Sequence, residues 1–183
     1  MPDDDPIFLV GPMGSGKTAV GQRLAQLLER QFVDTDREIE KRCGVDVAFI
    51  FDKEGEAGFR TREHRALAEL AALPAMVIAT GGGIVIREVN RKILRESGVV
   101  IYLETSVDQQ FERTRYSSTR PLLHGDDPKS KLHELMTVRG PLYASVADIT
   151  CNTDGQRVNQ VAKQVCTMLE SFTVKKKNRS CSR

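Results

Sequence analysis

The stretch Gly11-Pro12-Met13-Gly14-Ser15-Gly16-Lys17-Thr18 constrains this chain more than any other feature. An apolar run of buried-strand type, Ile7-Phe8-Leu9-Val10, stands before it, and an amphipathic helical pattern follows. That strand, glycine-rich turn and helix form the arrangement that wraps a backbone around phosphate groups. Glycines let the turn bend so that its N–H groups point inward, and the following helix offers its positive end to an anion. Lys17 is then placed to reach the β- and γ-phosphates of a nucleotide, and the Thr18 hydroxyl to ligate a magnesium ion. With glycine near 7% of residues, such a pattern arises by chance in on the order of one chain in a hundred of this length, and its flanks make chance rarer still.

At 183 residues the chain is expected to form one domain, about 1–173, large enough to bury a core without disulfides or metals. No apolar run approaches the roughly 18 residues of a membrane span. The start, Met1-Pro2-Asp3-Asp4-Asp5, is acidic and leads straight into the first strand, so a cytoplasmic protein without a membrane partner is expected. Cys43, Cys151, Cys166 and Cys181 form no C-x-x-C pair, and His64, His124 and His133 show no metal or triad spacing. Neither a disulfide framework nor a zinc site is expected. Net charge is +2, and removing the five cationic residues of the acid-free segment 174–183 leaves −3 for the rest. A mildly acidic body with interspersed charges offers no basic face for nucleic acid, and the basic tail reads as solvated and disordered.

Strand-type segments alternate with helical patterns from end to end, which argues for an α/β fold with a parallel sheet covered by helices. Residues 7–10, 32–33, 76–79, 99–103 and 147–150 read as five strands. Helical patterns cover 17–30, 37–42, 47–73 with interruptions at Gly55 and Gly58, 87–96, a stretch starting at Ser106, and 129–144 with a break or bend near Gly140-Pro141. The last helix carries Val158, Ala162, Val165, Leu169 and Phe172 on one face. The helices of about 35–73 form an insertion too short to fold alone. The polar stretch of about 114–131, with Pro121, Gly125 and Pro128, reads as a lid.

Several residues stand out beyond the loop. Asp34 and Asp36 close the second strand, at the sheet edge where α/β proteins bind ligands. If strand geometry persists through Thr35, they point the same way, one toward a metal and the other toward a substrate hydroxyl. The competing reading is an N-cap pair for the next helix. Gly81-Gly82-Gly83 ends the third strand where a backbone comes close to something. Arg60, Arg120 and Arg139 gain meaning only if they converge, since an arginine fork suits a carboxylate or phosphate.

In this order and spacing, these motifs resemble the shikimate kinase family, from Pro6 to about Phe172. The resemblance rests on Gly11 to Thr18, Asp34-Thr-Asp36, Gly55-Glu56 with Phe59-Arg60-x-x-Glu63, Gly81-Gly82-Gly83, Arg120-Pro121-Leu122-Leu123 and Arg139-x-Pro141-Leu142-Tyr143. It implies a three-layer αβα fold of P-loop kinase type with a five-stranded parallel sheet. The implied activity is ATP-dependent phosphorylation of the shikimate 3-hydroxyl, with Mg2+, by a monomer acting on small molecules in aromatic amino acid biosynthesis. By similarity, Asp36 holds the hydroxyl as base or orienter, Arg60 and Arg139 clamp the carboxylate, and Gly82 contacts the substrate through its backbone. Lys17 and Arg120 lie on the transferring phosphate, and Asp34 holds magnesium through water beside Thr18. The implied ATP site comprises Gly14, Ser15, Gly16, Lys17, Thr18, Ala19, Arg113, Arg120 and Arg157. The third strand lacks the acid that other phosphate-loop proteins carry there, which is normal in this family; Glu104 after the fourth strand is open to misreading as that acid. The rival activities are another small-molecule kinase, such as a gluconate or nucleoside-monophosphate kinase, and a nucleotide-binding regulator without catalysis.

Overall fold

The computed structural model describes residues 5–115 and 127–180, the last eight by their backbone alone. Five strands, β1 (Ile7–Val10), β2 (Gln31–Asp34), β3 (Met76–Ala79), β4 (Val99–Glu104) and β5 (Ile149–Asn152), form one sheet in the order β2-β3-β1-β4-β5. All neighbours are parallel, and central β1 registers Phe8 against Ile78 on one side and against Val100 on the other. Buried on both faces, β1 is apolar at every position, as a strand inside a covered parallel sheet must be.

Alternation along the strands divides the core into two layers. Ile7, Leu9, Ile101 and Leu103 pack toward α1 (Lys17–Leu27) and α7 (Val158–Ser180). Phe8, Val10, Ile78 and Val100 pack toward α3 (Val47–Ala71), α4 (Glu88–Ser97) and α6 (Pro128–Val146). A smaller cluster, Ile39, Ile50, Phe59 and Ala66, joins α2 (Thr35–Cys43) to α3. The sheet is thus the middle of three layers, and the α2–α3 pair extends from it between β2 and β3.

Element limits differ from the sequence reading where side chains take over backbone bonds. The helix expected over 37–42 starts two residues earlier, because the Asp34 carboxylate caps it. The stretch 47–73 breaks once, at Gly55 (φ 68°, ψ −176°), and Gly58 remains helical, since its missing Cβ leaves room for the Glu54 side chain. No break separates Gly140 from Pro141: α6 runs through both, and this keeps Arg139 and Tyr143 in one helix. The last strand lies two residues later than expected, because Asp148 is held in the turn before it, donating from its N–H to the Val100 carbonyl and accepting from the Val100 N–H. At the C-terminus the α7 backbone is helical to Ser180, where a disordered tail is expected from Val174; lysine and arginine are good helix formers and extend a helix already nucleated. Ser106 caps α5 (Val107–Thr114) as expected, accepting from the Gln109 N–H at 3.3 Å.

Candidate active site

After β1 the chain first builds β2 and β3 on one side and then β4 and β5 on the other, so the loop Gly11 to Gly16 emerges where the strand order reverses. Open α/β sheets bind ligands in that crevice. Only glycine fits at Gly11, whose φ is 145° and where a Cβ would lie 2.5 Å from the Leu103 carbonyl oxygen. Gly16 takes a left-handed conformation and hands the chain to α1, whose first residues are Lys17, Thr18 and exposed Ala19. The first N–H groups of α1 receive no side-chain cap at Gly16, which leaves the helix end suited to an anion. The Lys17 ammonium donates to the carbonyls of Gly11 (2.8 Å) and Pro12 (2.7 Å) across the loop, with the buried Ser15 hydroxyl at 3.5 Å.

Asp34 serves two elements at once. Its Oδ1 accepts from the N–H groups of Asp36 and Arg37, and its Oδ2 accepts from the Thr18 hydroxyl at 2.7 Å. The cap reading of the sequence therefore holds for Asp34, whose second oxygen is tied to the first turn of α1. Strand geometry does not persist through Thr35, so Asp34 and Asp36 do not align as strand neighbours; Asp36 projects from the first turn of α2. Thr35, fully buried, accepts the Gly81 N–H at 3.0 Å and so ties the aspartate pair to the glycine turn after β3. Thr80 occupies the end of β3, where its hydroxyl donates to the Leu9 carbonyl at 2.9 Å instead of offering a carboxylate.

The acceptor side gathers around that turn. Arg60 (7% exposed) and Arg139 (8%) come from α3 and α6, elements 79 positions apart in the chain at these residues. Arg60 forms a two-pronged ion pair with fully buried Glu63, at 2.9 and 2.8 Å, and reaches Glu56 at 3.0 Å. Burial pushes the Glu63 carboxyl above its ordinary range, against the pull of Arg60, Arg139 and Arg87. A Cβ on Gly83 would overlap the Arg60 guanidinium, and one on Gly81 would lie 2.7 Å from Asp36 Oδ1 and 2.9 Å from Glu63 Oε1. The glycine run is thus what lets two carboxylates and a guanidinium press against one backbone turn. The Gly82 carbonyl accepts from the Tyr143 hydroxyl.

Asp36 is the electrostatic centre of this group. Its Oδ1 is closed off from solvent and has no hydrogen-bond partner among the described residues. Burial first, then the charges of Asp34 and Glu63, push its carboxyl up to about 7, with Lys17 and Arg60 pulling the other way. A carboxylate between a phosphate-loop lysine and a buried arginine is placed to meet a hydroxyl, with its basicity matched to neutral pH.

Of the three arginines expected at the nucleotide, two, Arg113 and Arg157, are among the described residues. Arg113 donates to the Gly14 carbonyl (3.0 Å) and to Thr153, through its hydroxyl (3.2 Å) and its carbonyl (2.7 Å), and so bridges the phosphate loop and the turn after β5. Arg157 is exposed just before α7, where its N–H donates to Gln160. Arg120 and most of the expected lid, 116–126, lie outside the described residues, as does His124. Glu104 is exposed at the end of β4, opposite Asn152 of β5. The roles of Glu63, Thr35 and Tyr143 were not read from the sequence. The spacing of Glu63 three residues after Arg60 on a helix is a signal for a paired charge, whereas Thr35 and Tyr143 carry none apart from the motifs that contain them.

The profile of the family described as shikimate kinase matches residues 13–170. The shikimate kinase of Hahella chejuensis is 50% identical over 165 residues, which are 90% of this chain and 86% of that protein. Among solved structures, shikimate kinase from Acinetobacter baumannii in complex with shikimate superposes with a TM-score of 0.90 at 46% identity, covering 91% of this chain and 93% of that one. A gluconokinase from Sinorhizobium meliloti shares the fold alone, with a TM-score of 0.57 at 15% identity over 97% of each chain. With the profile spanning most of its length and half of 165 aligned residues identical in a named relative, the chain belongs to the shikimate kinase family.

Proposed function

We propose that this kinase transfers the γ-phosphoryl group of ATP to the 3-hydroxyl of shikimate through the residues just described. The observation that carries the reading is the convergence of Asp36, Arg60 and Arg139 on the Gly81 to Gly83 turn, next to the phosphate loop. Two buried guanidiniums form a fork for a carboxylate, and Asp36 faces the hydroxyl to be phosphorylated. Lys17 exchanges its two carbonyl acceptors for β- and γ-phosphate oxygens. The 3-hydroxyl oxygen then bonds to the γ-phosphorus as the bond to the ADP oxygen breaks, and the hydroxyl proton passes to the Asp36 carboxylate. Catalysis of this kind is positioning plus charge stabilisation, with little covalent work for the protein.

The Thr18 hydroxyl and the Asp34 carboxylate, 2.7 Å apart and half-buried, are the oxygen donors that a magnesium ion prefers. We assign them as its holders, Thr18 directly and Asp34 through water; when bound, the ion neutralises charge on the β- and γ-phosphates. Arg113, against the phosphate loop, and Arg157, just before α7, are assigned to the nucleotide, the former to adenine, and Arg120 is assigned to the transferring phosphate from the lid.

An ATP-consumption assay offering shikimate, gluconate and AMP separately tests the reading. ADP release above background with shikimate alone is the expected result, and turnover of gluconate or AMP at a comparable rate would overturn it.

A further inference from the structure

Tyr143 ends the last of the motifs on which the family resemblance rests, yet no part of the transfer falls to it. Its ring is fully buried and stacks on Tyr102 of β4, with centroids 5.3 Å apart and planes at 26°. A buried phenol needs a partner for its hydroxyl, and here the hydroxyl donates to the Gly82 carbonyl oxygen. A carbonyl only accepts, so this bond uses the single proton of the phenol and leaves its oxygen free to accept. Arg139, one helical turn earlier on the same face of α6 and likewise buried, holds its positive charge beside that oxygen. Gly82 itself sits against the phosphate loop: a Cβ there would lie 3.6 Å from the Gly11 carbonyl oxygen and the Met13 nitrogen, and 3.7 Å from the Tyr143 hydroxyl.

One hydroxyl therefore holds the Gly82 carbonyl and faces the charge of Arg139, two groups that come from different layers of the fold. We propose that Tyr143 is a positioning residue of the acceptor site, setting the Gly82 peptide beside the Arg139 guanidinium through its hydroxyl. The proposal rests on the reading of Gly82 and Arg139 as shikimate contacts. Replacement by phenylalanine keeps the ring, its volume and its stack on Tyr102, and removes only the hydroxyl with its bond to Gly82, so the variant retains the fold. Gly82 then loses its donor, and its peptide is free to leave the geometry that the acceptor requires. The nucleotide side, built on the phosphate loop, α1 and Arg113, is untouched.

Steady-state kinetics with each substrate varied, on wild type, Tyr143→Phe, Arg139→Lys and the double variant, test this. Tyr143→Phe is expected to raise KM for shikimate by about tenfold and to leave KM for ATP within about twofold. The double variant is expected to lose less than the product of the two single losses, because the residues act as one unit. A KM for shikimate within twofold of wild type in Tyr143→Phe, accompanied or not by a fall in melting temperature, would overturn the proposal and leave Tyr143 a packing residue. If instead Arg139→Lys leaves KM for shikimate unchanged, the underlying assignment of Arg139 fails.

Discussion

Asp36 is held where a carboxylate is least comfortable. Its Oδ1 is shut from solvent against Gly81, and Asp34 and Glu63 add like charge beside it. Stability is sacrificed there at a group that, in the proposed reaction, meets the substrate hydroxyl in a dry site. The sign follows from the shift. Because the folded-state value is raised from 3.8 to about 7, the folded protein keeps a proton that the unfolded chain gives up. Stability from this group is present below its unfolded value and is lost as pH rises through about 7. Asp36→Asn removes the charge at nearly constant shape. It is expected to lower kcat by about a thousandfold while ATP still binds, and to stabilise the free enzyme more at pH 8 than at pH 5, by on the order of 2–3 kcal/mol. Denaturant unfolding in EDTA without substrates, alongside single-turnover assays, reads both; a variant with substantial activity refutes the catalytic role, and equal stabilisation at the two pH values refutes the electrostatic one.

At the scale of elements, the helices that bring the acceptor residues depend on a few backbone decisions. Gly55 joins the two halves of α3 in a conformation, φ 68° and ψ −176°, that only glycine adopts readily, and a Cβ there would meet nothing within 4 Å. Its constraint is thus torsional and owes nothing to crowding. The half that follows carries Phe59, Arg60 and Glu63, so the angle at Gly55 aims the ion pair. Gly55→Ala is expected to destabilise the enzyme by about 1–3 kcal/mol and to raise KM for shikimate several-fold with KM for ATP unchanged. Unaltered stability and kinetics would show that the joint does not aim the helix. The sequence announces a break here through Gly55, but it cannot separate this glycine from Gly58, which serves only to pass a side chain. In the same way it offers Asp34 as cap or metal ligand, and only the folded chain shows that the side chain caps α2 while also accepting from Thr18, sixteen residues earlier.

The molecule as a whole is a sheet whose order changes direction at β1, with the donor site built from β1 and α1 and the acceptor site from the elements after β2, β3 and β5's preceding helix α6. The buried face of α7 covers α1 and the sheet through Val161, Ala162, Val165 and Leu169, with Phe172 packed against them. Deleting 174–183 is therefore expected to leave kcat unchanged and to shift the melting temperature by less than about 2–4 °C, the equivalent of roughly 1 kcal/mol for a chain of this size. Deleting 166–183 removes Leu169 and Phe172 and is expected to prevent folding. Calorimetry of the two truncated chains distinguishes them, and a large loss from the shorter deletion would place stabilising contacts beyond the family core.

By itself the sequence determined the phosphate loop, the five strands and the alternation that makes the sheet parallel, because these depend on residues close together in the chain: glycines at a turn, apolar runs and helical periods. It also determined the family, through six motifs in one order. What only the tertiary structure decided is which charges meet. Arg60 and Arg139 are ordinary arginines until α3 and α6 set them around Glu63 and the glycine turn, and Asp36 is an ordinary carboxylate until Gly81 and Glu63 close over it. Electrostatic energy depends on distance and burial, and a linear pattern specifies neither for residues that fold together from distant elements.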